Sequence, residues 1–334
     1  MEIIVDSAIP FIKDRIKGDV SVKFIPGNDF SRELVKDADA LVVRTRTKCD
    51  ENLLGNSKVK LIATATIGTD HIDIPWCRSK NIVVRSAPGC NAPGVAQYVL
   101  SSLFHSGFNP HKDTLGIIGY GNVGSLIGEW ARSMGIKILV NDPPLWEQGK
   151  DMINLTSLEE ILKNSDAVTL HVPFKKSGKY PTYKLIGENE LQEMKPGAIL
   201  INSSRGGVVD EQELKKAIKK KDIRAVIDVW ENEPDIDKTL AEMALIATPH
   251  IAGYSEEGKK RATRMVLESL NKDLNIRVNL SGLECLPPLG KEISKELIEN
   301  SYNPAEDKKK LLEDFSKFEK LRNEYYYRHE PLFF

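Results

Sequence analysis

Thr114-Leu-Gly-Ile-Ile-Gly-Tyr-Gly-Asn-Val-Gly124, followed after a helical stretch by Ile136-Lys-Ile-Leu-Val-Asn-Asp142, is the segment on which the fold turns. Leu115 to Ile118 is a short apolar run of the kind a buried parallel strand needs. Gly119, Gly121 and Gly124 follow with the spacing G-x-G-x-x-G, and Val123, Leu126, Ile127, Trp130 and Met134 then recur at helical spacing. Ile136 to Val140 reads as a second strand with Asp142 at its end. Strand, glycine turn, helix, strand and an acid about twenty residues past the last glycine make the dinucleotide fingerprint. Each part has its own physical reason. Gly119 allows the tight turn, Gly121 lets a pyrophosphate approach the backbone, and Gly124 lets helix and strand pack closely. The loop residues Tyr120, Asn122 and Val123 lead into a helix N-terminus, whose unpaired N–H groups and positive dipole end favour phosphate. Asp142 is expected to accept hydrogen bonds from ribose hydroxyls and to repel a 2′-phosphate, which predicts NAD rather than NADP.

The rest of the chain sets the context. Its 334 residues leave room for two domains, and 47 Lys plus Arg against 48 Asp plus Glu give no electrostatic reason to expect nucleic acid or membrane as a partner. The four cysteines, Cys49, Cys77, Cys90 and Cys285, have neither metal-ligand spacing nor the density of a disulfide scaffold, so no metal is expected and a reducing cytoplasm fits best. No apolar run reaches transmembrane length. The start, Met-Glu-Ile-Ile-Val-Asp, reads as a first strand without the basic beginning of a secretory signal.

Before the fingerprint, short apolar runs at Ile3–Val5, Val22–Ile25, Ala40–Val43, Leu61–Ala65 and Ile82–Val84 alternate with helix starts at Ser31 and Asp50, the rhythm of a parallel sheet. Asn91 is expected to cap the helix that follows, with Pro93 in its first turn. After Asp142, strands are predicted at Ala167–Val172, Ala198–Asn202, Ala225–Val229 and Leu245–Thr248, with capping boxes at Ser157–Glu160 and Asp210–Glu213. Polar residues stand directly after successive strands: Arg205, Glu233 and His250. In a parallel sheet those positions share one edge, where ligands collect. One Arg, one Glu and one His suit oxidation of a 2-hydroxy acid. His250 is the candidate general base, Glu233 its orienting acid, and Arg205 a planar fork for a carboxylate.

The loop G-Y-G-N-V-G with N-S-S-R-G-G, D-V-W-E-N-E-P and T-P-H-I-A-G-Y resembles the signatures of the D-isomer-specific 2-hydroxyacid dehydrogenases, from residue 1 to about 278. T-A-T-I-G-T-D-H-I-D (64–73), A-P-G-C-N-A (87–92), D-P-P (142–144) and H-I-A-G-Y-S-E-E-G-K (250–259) narrow the resemblance to one branch. The resemblance implies an α/β fold of two doubly wound parallel-sheet domains. Residues 1–92 plus 256–279 would form a flavodoxin-like substrate domain, 93–255 a Rossmann NAD domain, and 280–334 a small C-terminal dimerisation region. It implies that Arg205, Glu233 and His250 are catalytic, that Asp142, Val172, Asp228 and Gly253 contact NAD, and that Thr45, Thr66 and Tyr254 contact substrate. The expected substrate is a small anionic phosphorylated hydroxy acid, with Arg44, Arg46 and Arg85 as candidates for its distal phosphate.

In the C-terminal region Cys285-Leu-Pro-Pro-Leu is expected to break regular structure, and Asn303 to Glu306 to open a helix. Leu311, Leu312, Phe315, Phe318 and Leu321 are predicted to share one face of it. Phe318-Glu-Lys-Leu-Arg resembles a dimerisation segment, which implies a homodimer. The family pattern runs past Phe334, so a shortened region is expected. The competing readings are a relative acting on another hydroxy acid, such as 3-phosphoglycerate, and a non-catalytic NAD-sensing scaffold.

Overall fold

The structure is a computed structural model that describes residues 1–149, 155–285 and 292–333. The chain divides into two compact units, Met1–Asn91 with Ser255–Leu286, and Ala92–Tyr254 with Pro287–Phe334.

In the first unit the strands are β1 (Glu2–Asp6), β2 (Ile16–Lys17), β3 (Ser21–Ile25), β4 (Ala40–Val43), β5 (Leu61–Thr64) and β6 (Val83–Arg85). Five of them form one parallel sheet in the order β3-β1-β4-β5-β6. With β2 set aside, that is the flavodoxin-like order 2-1-3-4-5. The helix Glu256–Leu274 returns to this unit, and Val266, Leu267 and Leu270 pack with Ile3, Val5 and Val42. The returning segment, expected as helical to residue 279, stops where Asn275 turns left-handed (φ 57°). The segment Arg277–Val278 then pairs antiparallel with β2.

The second unit holds β7 (Thr114–Ile118), β8 (Lys137–Asn141), β9 (Ala167–Leu170), β10 (Ile199–Asn202), β11 (Arg224–Ile227) and β12 (Ile246–Ala247). They form a parallel six-stranded sheet in the order β12-β11-β10-β9-β7-β8. Leu155 adds a single parallel bridge beyond β8, to Val140. Counting that bridge as a third strand gives the order 3-2-1-4-5-6 of the dinucleotide fold, with one strand more, and the order reverses between β7 and β9. These strands read as unbroken apolar runs because both faces are covered. Ile118, Val168, Leu170 and Leu200 point into one core, and Leu115, Ile117, Ile199 and Ile201 into the other.

Several local expectations are corrected. Asn91 does not cap its helix, Ala92–His105: its Oδ1 is buried without a hydrogen-bond partner, and Pro93 has removed one of the amides a cap would bind. Ser157–Glu160 forms the full capping box, but Asp210 caps alone, because the Glu213 carboxylate turns to Lys216. The apolar stripe from Leu311 to Leu321 is not one helix. Pro304–Glu313 ends at Asp314, whose carboxylate captures the Ser316 amide, and Phe318–Asn323 begins afresh. Leu311 and Phe318 are nevertheless buried in the core of the second unit, with Leu312, Phe315 and Leu321 against them. Residues 287–334 cluster with that unit and form no third compact one. The break expected at 285–289 lies, past Cys285, outside the described residues. All four cysteines are free thiols, and burial pushes Cys49 up to about 12. Among the described residues no helix is long and apolar enough to cross a membrane.

Candidate active site

The glycine loop sits between β7 and the helix Asn122–Ser133. Gly119 has φ +87°, and a Cβ there would lie 2.5 Å from the His171 carbonyl oxygen. A Cβ on Gly124 would lie 2.0 Å from the Gly119 oxygen, so only glycine lets this helix approach its strand. Gly121 differs: nothing lies within 4 Å of the position its Cβ would take. The helix it precedes has no side-chain cap, so its first-turn N–H groups have no side-chain acceptor at the N-cap. Open space at Gly121 beside an uncapped N-terminus is what a pyrophosphate needs, and the residues present fit NAD.

The other fingerprint residues take distinct positions. Tyr120 turns its ring inward over Gly128, with Arg132 Nη1 3.0 Å from its hydroxyl, so its side chain serves the core and does not line the loop. Asp142 ends β8; one carboxylate oxygen accepts the Tyr120 amide at 2.7 Å, and the other caps the next short helix through Leu145 at 3.0 Å. Each ionised oxygen retains a further acceptor site. Asn122 is exposed and Val123 half-buried. Val172 follows β9, with Cγ1 2.9 Å from the position a Gly119 Cβ would take. Beside it, burial pushes the His171 imidazole down to about 3, and the Thr169 hydroxyl lies 2.9 Å from its Nε2.

Three loops at the carboxyl ends of β10, β11 and β12 bring the ionisable residues together. A Cβ on Gly206 would lie 1.9 Å from the Trp230 carbonyl oxygen, so the loop carrying Arg205 rests directly on the loop carrying Glu233. Arg205 Nη1 donates to the Ser204 carbonyl at 2.8 Å, and its own carbonyl accepts from Asn202. The Glu233–Pro234 peptide is cis. The Glu233 carboxylate accepts the Trp230 amide at 3.1 Å and lies 2.8 and 3.0 Å from His250 Nδ1. His250 has φ +59°, a left-handed conformation costly for a side chain of this size.

Beneath the pair, Asp228 is buried. It accepts the Thr248 hydroxyl at 2.7 Å and the Ile251 and Ala252 amides at 2.7 and 3.0 Å. Burial raises its carboxyl; His250, Thr248 and the two amides oppose that. The turn ends with half-buried Gly253 and with Tyr254, whose amide donates to the Ile251 carbonyl at 2.9 Å. Burial would also raise Glu233. The hydrogen bond and charge of His250, the Arg322 charge and the Trp230 amide outweigh it and hold the carboxyl below its ordinary range.

An ionised carboxylate only accepts, so His250 Nδ1 carries the hydrogen in this pair, which leaves Nε2 as the nitrogen available to a substrate. The pair sets an imidazole against an acid on the sheet edge that also carries the glycine loop, an arrangement suited to general-base chemistry.

Sequence reasoning missed Arg322. Its Nη1 lies 3.4 Å from Glu233 Oε2 and its Nε 3.4 Å from the Tyr254 hydroxyl. Phe318-Glu-Lys-Leu-Arg stood out as a segment, but nothing in it ties its arginine to an acid 89 positions earlier.

In the first unit Thr45 is exposed just past β4. Thr66, past β5, donates to the Gly68 carbonyl and lies 2.7 Å from the Thr64 hydroxyl. The arginines singled out for a distal phosphate there are engaged. Arg85 grips Asp273 through two bonds of 2.8 and 2.7 Å, and Arg44 pairs with buried Asp6 at 3.2 Å.

Comparison with known proteins gives the family. Residues 96–252 match the sequence profile of the D-isomer specific 2-hydroxyacid dehydrogenase, NAD binding domain. The erythronate-4-phosphate dehydrogenase of Bacteroides fragilis is 44% identical over 340 residues, 99% of this chain and 97% of the relative. That of Escherichia coli is 38% identical over 349 residues, 99% of this chain and 92% of the relative. The chain belongs to the erythronate-4-phosphate dehydrogenases, a branch of the D-isomer-specific 2-hydroxyacid dehydrogenases.

Solved relatives include a D-lactate dehydrogenase from Aquifex aeolicus complexed with NAD and lactic acid. It is 26% identical with TM-score 0.67, over 82% of this chain and 96% of that one. An NAD+-bound 3-phosphoglycerate dehydrogenase from Entamoeba histolytica is 27% identical with the same TM-score and coverage. As a member of this family the protein is an NAD-dependent oxidoreductase acting on a CH–OH donor, with the two-domain α/β arrangement of the solved 2-hydroxyacid dehydrogenases.

Proposed function

We propose that the protein oxidises 4-phospho-D-erythronate to (R)-3-hydroxy-2-oxo-4-phosphooxybutanoate, a step toward pyridoxal 5′-phosphate. The observation that carries this reading is the His250–Glu233 pair, 2.8 Å apart. It stands on the sheet edge that also carries the open Gly121 loop, in a chain nearly half identical to named enzymes of this activity. Bound NAD supplies the hydride acceptor. Gly119, Tyr120, Gly121, Asn122, Val123 and Gly124 form its phosphate loop. Asp142 would take the ribose hydroxyls, and Val172, Asp228 and Gly253 would contact the dinucleotide.

His250 Nε2 takes the proton of the substrate's 2-hydroxyl as the carbon–hydrogen bond breaks, and the imidazolium that forms is held by Glu233. Arg205 binds the substrate carboxylate and polarises the oxygen that becomes the carbonyl. Thr45, Thr66 and Tyr254 contact the rest of the substrate. The protein acts in the cytoplasm as a homodimer, a reading supported by its free thiols and by the resemblance of the segment 318–322; sedimentation velocity reads the assembly directly.

The decisive experiment is single-turnover reduction of bound NAD with 4-phospho-D-erythronate and with 3-phosphoglycerate in parallel. Preference for the four-carbon acid is expected, and preference for the three-carbon acid moves the enzyme to another substrate. His250→Asn should abolish reduction while retaining NADH binding. Reduction surviving that change would remove His250 as the base, whereas NADH binding with no reduction by any hydroxy acid would favour the scaffold.

A further inference from the structure

We propose that Arg322 is a positioning residue of the oxidation: by sharing the Glu233 carboxylate with His250, its guanidinium keeps the imidazole in its neutral, proton-accepting form. The inference rests on the role given above to His250. It starts from one oxygen atom. Glu233 Oε2 lies 2.8 Å from His250 Nδ1 and 3.4 Å from Arg322 Nη1, so one carboxylate oxygen serves both an imidazole and a guanidinium.

Burial makes the sharing matter. The side chains of Arg322 and Glu233 are 16% and 18% exposed, too little for solvent to screen their attraction fully. Both belong to the second compact unit, Arg322 on the helix Phe318–Asn323 and Glu233 in the loop after β11. Phe318, which opens that helix, is buried in the same core as Trp230, so the guanidinium stands on an anchored element. Burial would lower the Arg322 guanidinium. Tyr254, Glu233 and Asp228 more than offset that, so it stays cationic throughout the working range.

The charges around His250 come from several elements. Glu233 and Asp228 face it from the end of β11. Arg322 stands behind Glu233 on the C-terminal helix, and the Tyr254 hydroxyl stands behind Arg322 from the turn after β12. Arg205 lies on the adjoining loop after β10. Two buried acids beside one histidine would by themselves favour the imidazolium. An imidazolium cannot take a second proton, so such a site would be idle as a base at neutral pH. Arg322 already supplies a cation to Glu233, and protonating His250 would add another. The guanidinium thus offsets part of the pull toward the charged form, while Glu233 still fixes the ring through Nδ1. Its Nε contact holds the Tyr254 hydroxyl in the same arrangement.

The test uses Arg322→Met, which keeps the length and loses the charge, and Arg322→Lys, which keeps the charge. At saturating NAD, the acid limb of the kcat/KM profile for 4-phospho-D-erythronate is expected to move upward by about one pH unit in Arg322→Met. It should stay near its original position in Arg322→Lys. Independently of turnover, the imidazole resonance of His250, assigned by its loss in His250→Asn, should titrate about one pH unit higher in Arg322→Met than in the unsubstituted chain. An unmoved imidazole titration in folded Arg322→Met overturns the proposal. So does an unmoved acid limb with a raised KM, which would make Arg322 a substrate anchor, and so does an equal displacement in both variants, since the charge would then not be the cause. Turnover persisting in His250→Asn counts against the assignment of His250 as the base, and the NMR comparison still judges Arg322.

Discussion

Glu233 and Asp228 are acids beside the same histidine, and their surroundings push them in opposite directions. A carboxyl held below its ordinary value contributes stability that is present above the unfolded value and lost as pH falls through the folded one. Glu233 behaves this way, because His250, Arg322 and the Trp230 amide all favour its ionised form over the effect of burial. Asp228 runs the other way: burial raises it, so the fold holds its proton more tightly than the unfolded chain does, and that contribution shrinks as pH rises through the carboxylate range. Glu233→Gln should therefore destabilise the protein at pH 7 and less at a pH well below the ordinary carboxyl value of 4.5. Urea unfolding at both values reads this, and an equal loss at both would mean that the carboxylate charge is not the source. Asp228→Asn should cost about 1–3 kcal/mol at neutral pH despite its similar shape. An amide that accepts the Thr248 hydroxyl and Ile251 amide must turn its NH2 toward the Ala252 amide, donor against donor.

At the scale of elements, the glycine loop separates two jobs that a motif cannot tell apart. Gly124 is a packing residue, since its missing side chain makes room for the Gly119 carbonyl. Gly124→Ala is expected to cost about 3 kcal/mol or more, seen as a lower Tm and weaker binding together. Gly121 has free space and φ −77°, which alanine tolerates, so Gly121→Ala should leave Tm nearly unchanged. Its NADH affinity should fall roughly tenfold or more, which calorimetric titration measures. A Gly121→Ala variant that bound NADH normally would place the pyrophosphate elsewhere. The element boundaries show where local reading stops. The expected strands came out within a residue or two, most of them as apolar runs buried on both faces, although β3 and β6 at the sheet edges are largely open; the short pair of Ile16–Lys17 with Arg277–Val278 had no such pattern, and the helix expected through Leu321 broke at Asp314. The apolar spacing there was real, and all five residues do face one core, but a side-chain hydrogen bond to the Ser316 amide outweighed helix continuation.

Across the whole molecule, the C-terminal segment is tied to the 251–254 turn by a buried cation. Arg328 donates to the carbonyls of Gly94 (3.0 Å), Ile251 (3.1 Å), Tyr254 (3.2 Å) and Ala252 and to the Gln97 side chain, and its guanidinium lies 4.3 Å from the centre of the Tyr302 ring. One residue near the end of the chain thus fixes the backbone on both sides of Gly253 and the start of the helix Ala92–His105. Removing it would strand several buried carbonyls at once. Arg328→Met is expected to lose on the order of 3–5 kcal/mol in chemical unfolding, and activity should fall with it. A variant of unchanged stability would show that those carbonyls find other donors.

What the sequence determined by itself was everything carried by local pattern: the parallel strands, the glycine turn, and the polar residues that follow β10, β11 and β12. Those follow from periodicity, turn chemistry and strand order, which are properties of neighbouring residues. The tertiary structure alone decided the partners. It joined Arg322 to Glu233 and Arg328 to the 251–254 turn, engaged Arg85 and Arg44 with Asp273 and Asp6, and turned Tyr120 into the core. The physical reason is that an arginine's role depends on which acid or carbonyl folding places within about 3 Å of its guanidinium. No local pattern records a distance between residues so far apart in the chain.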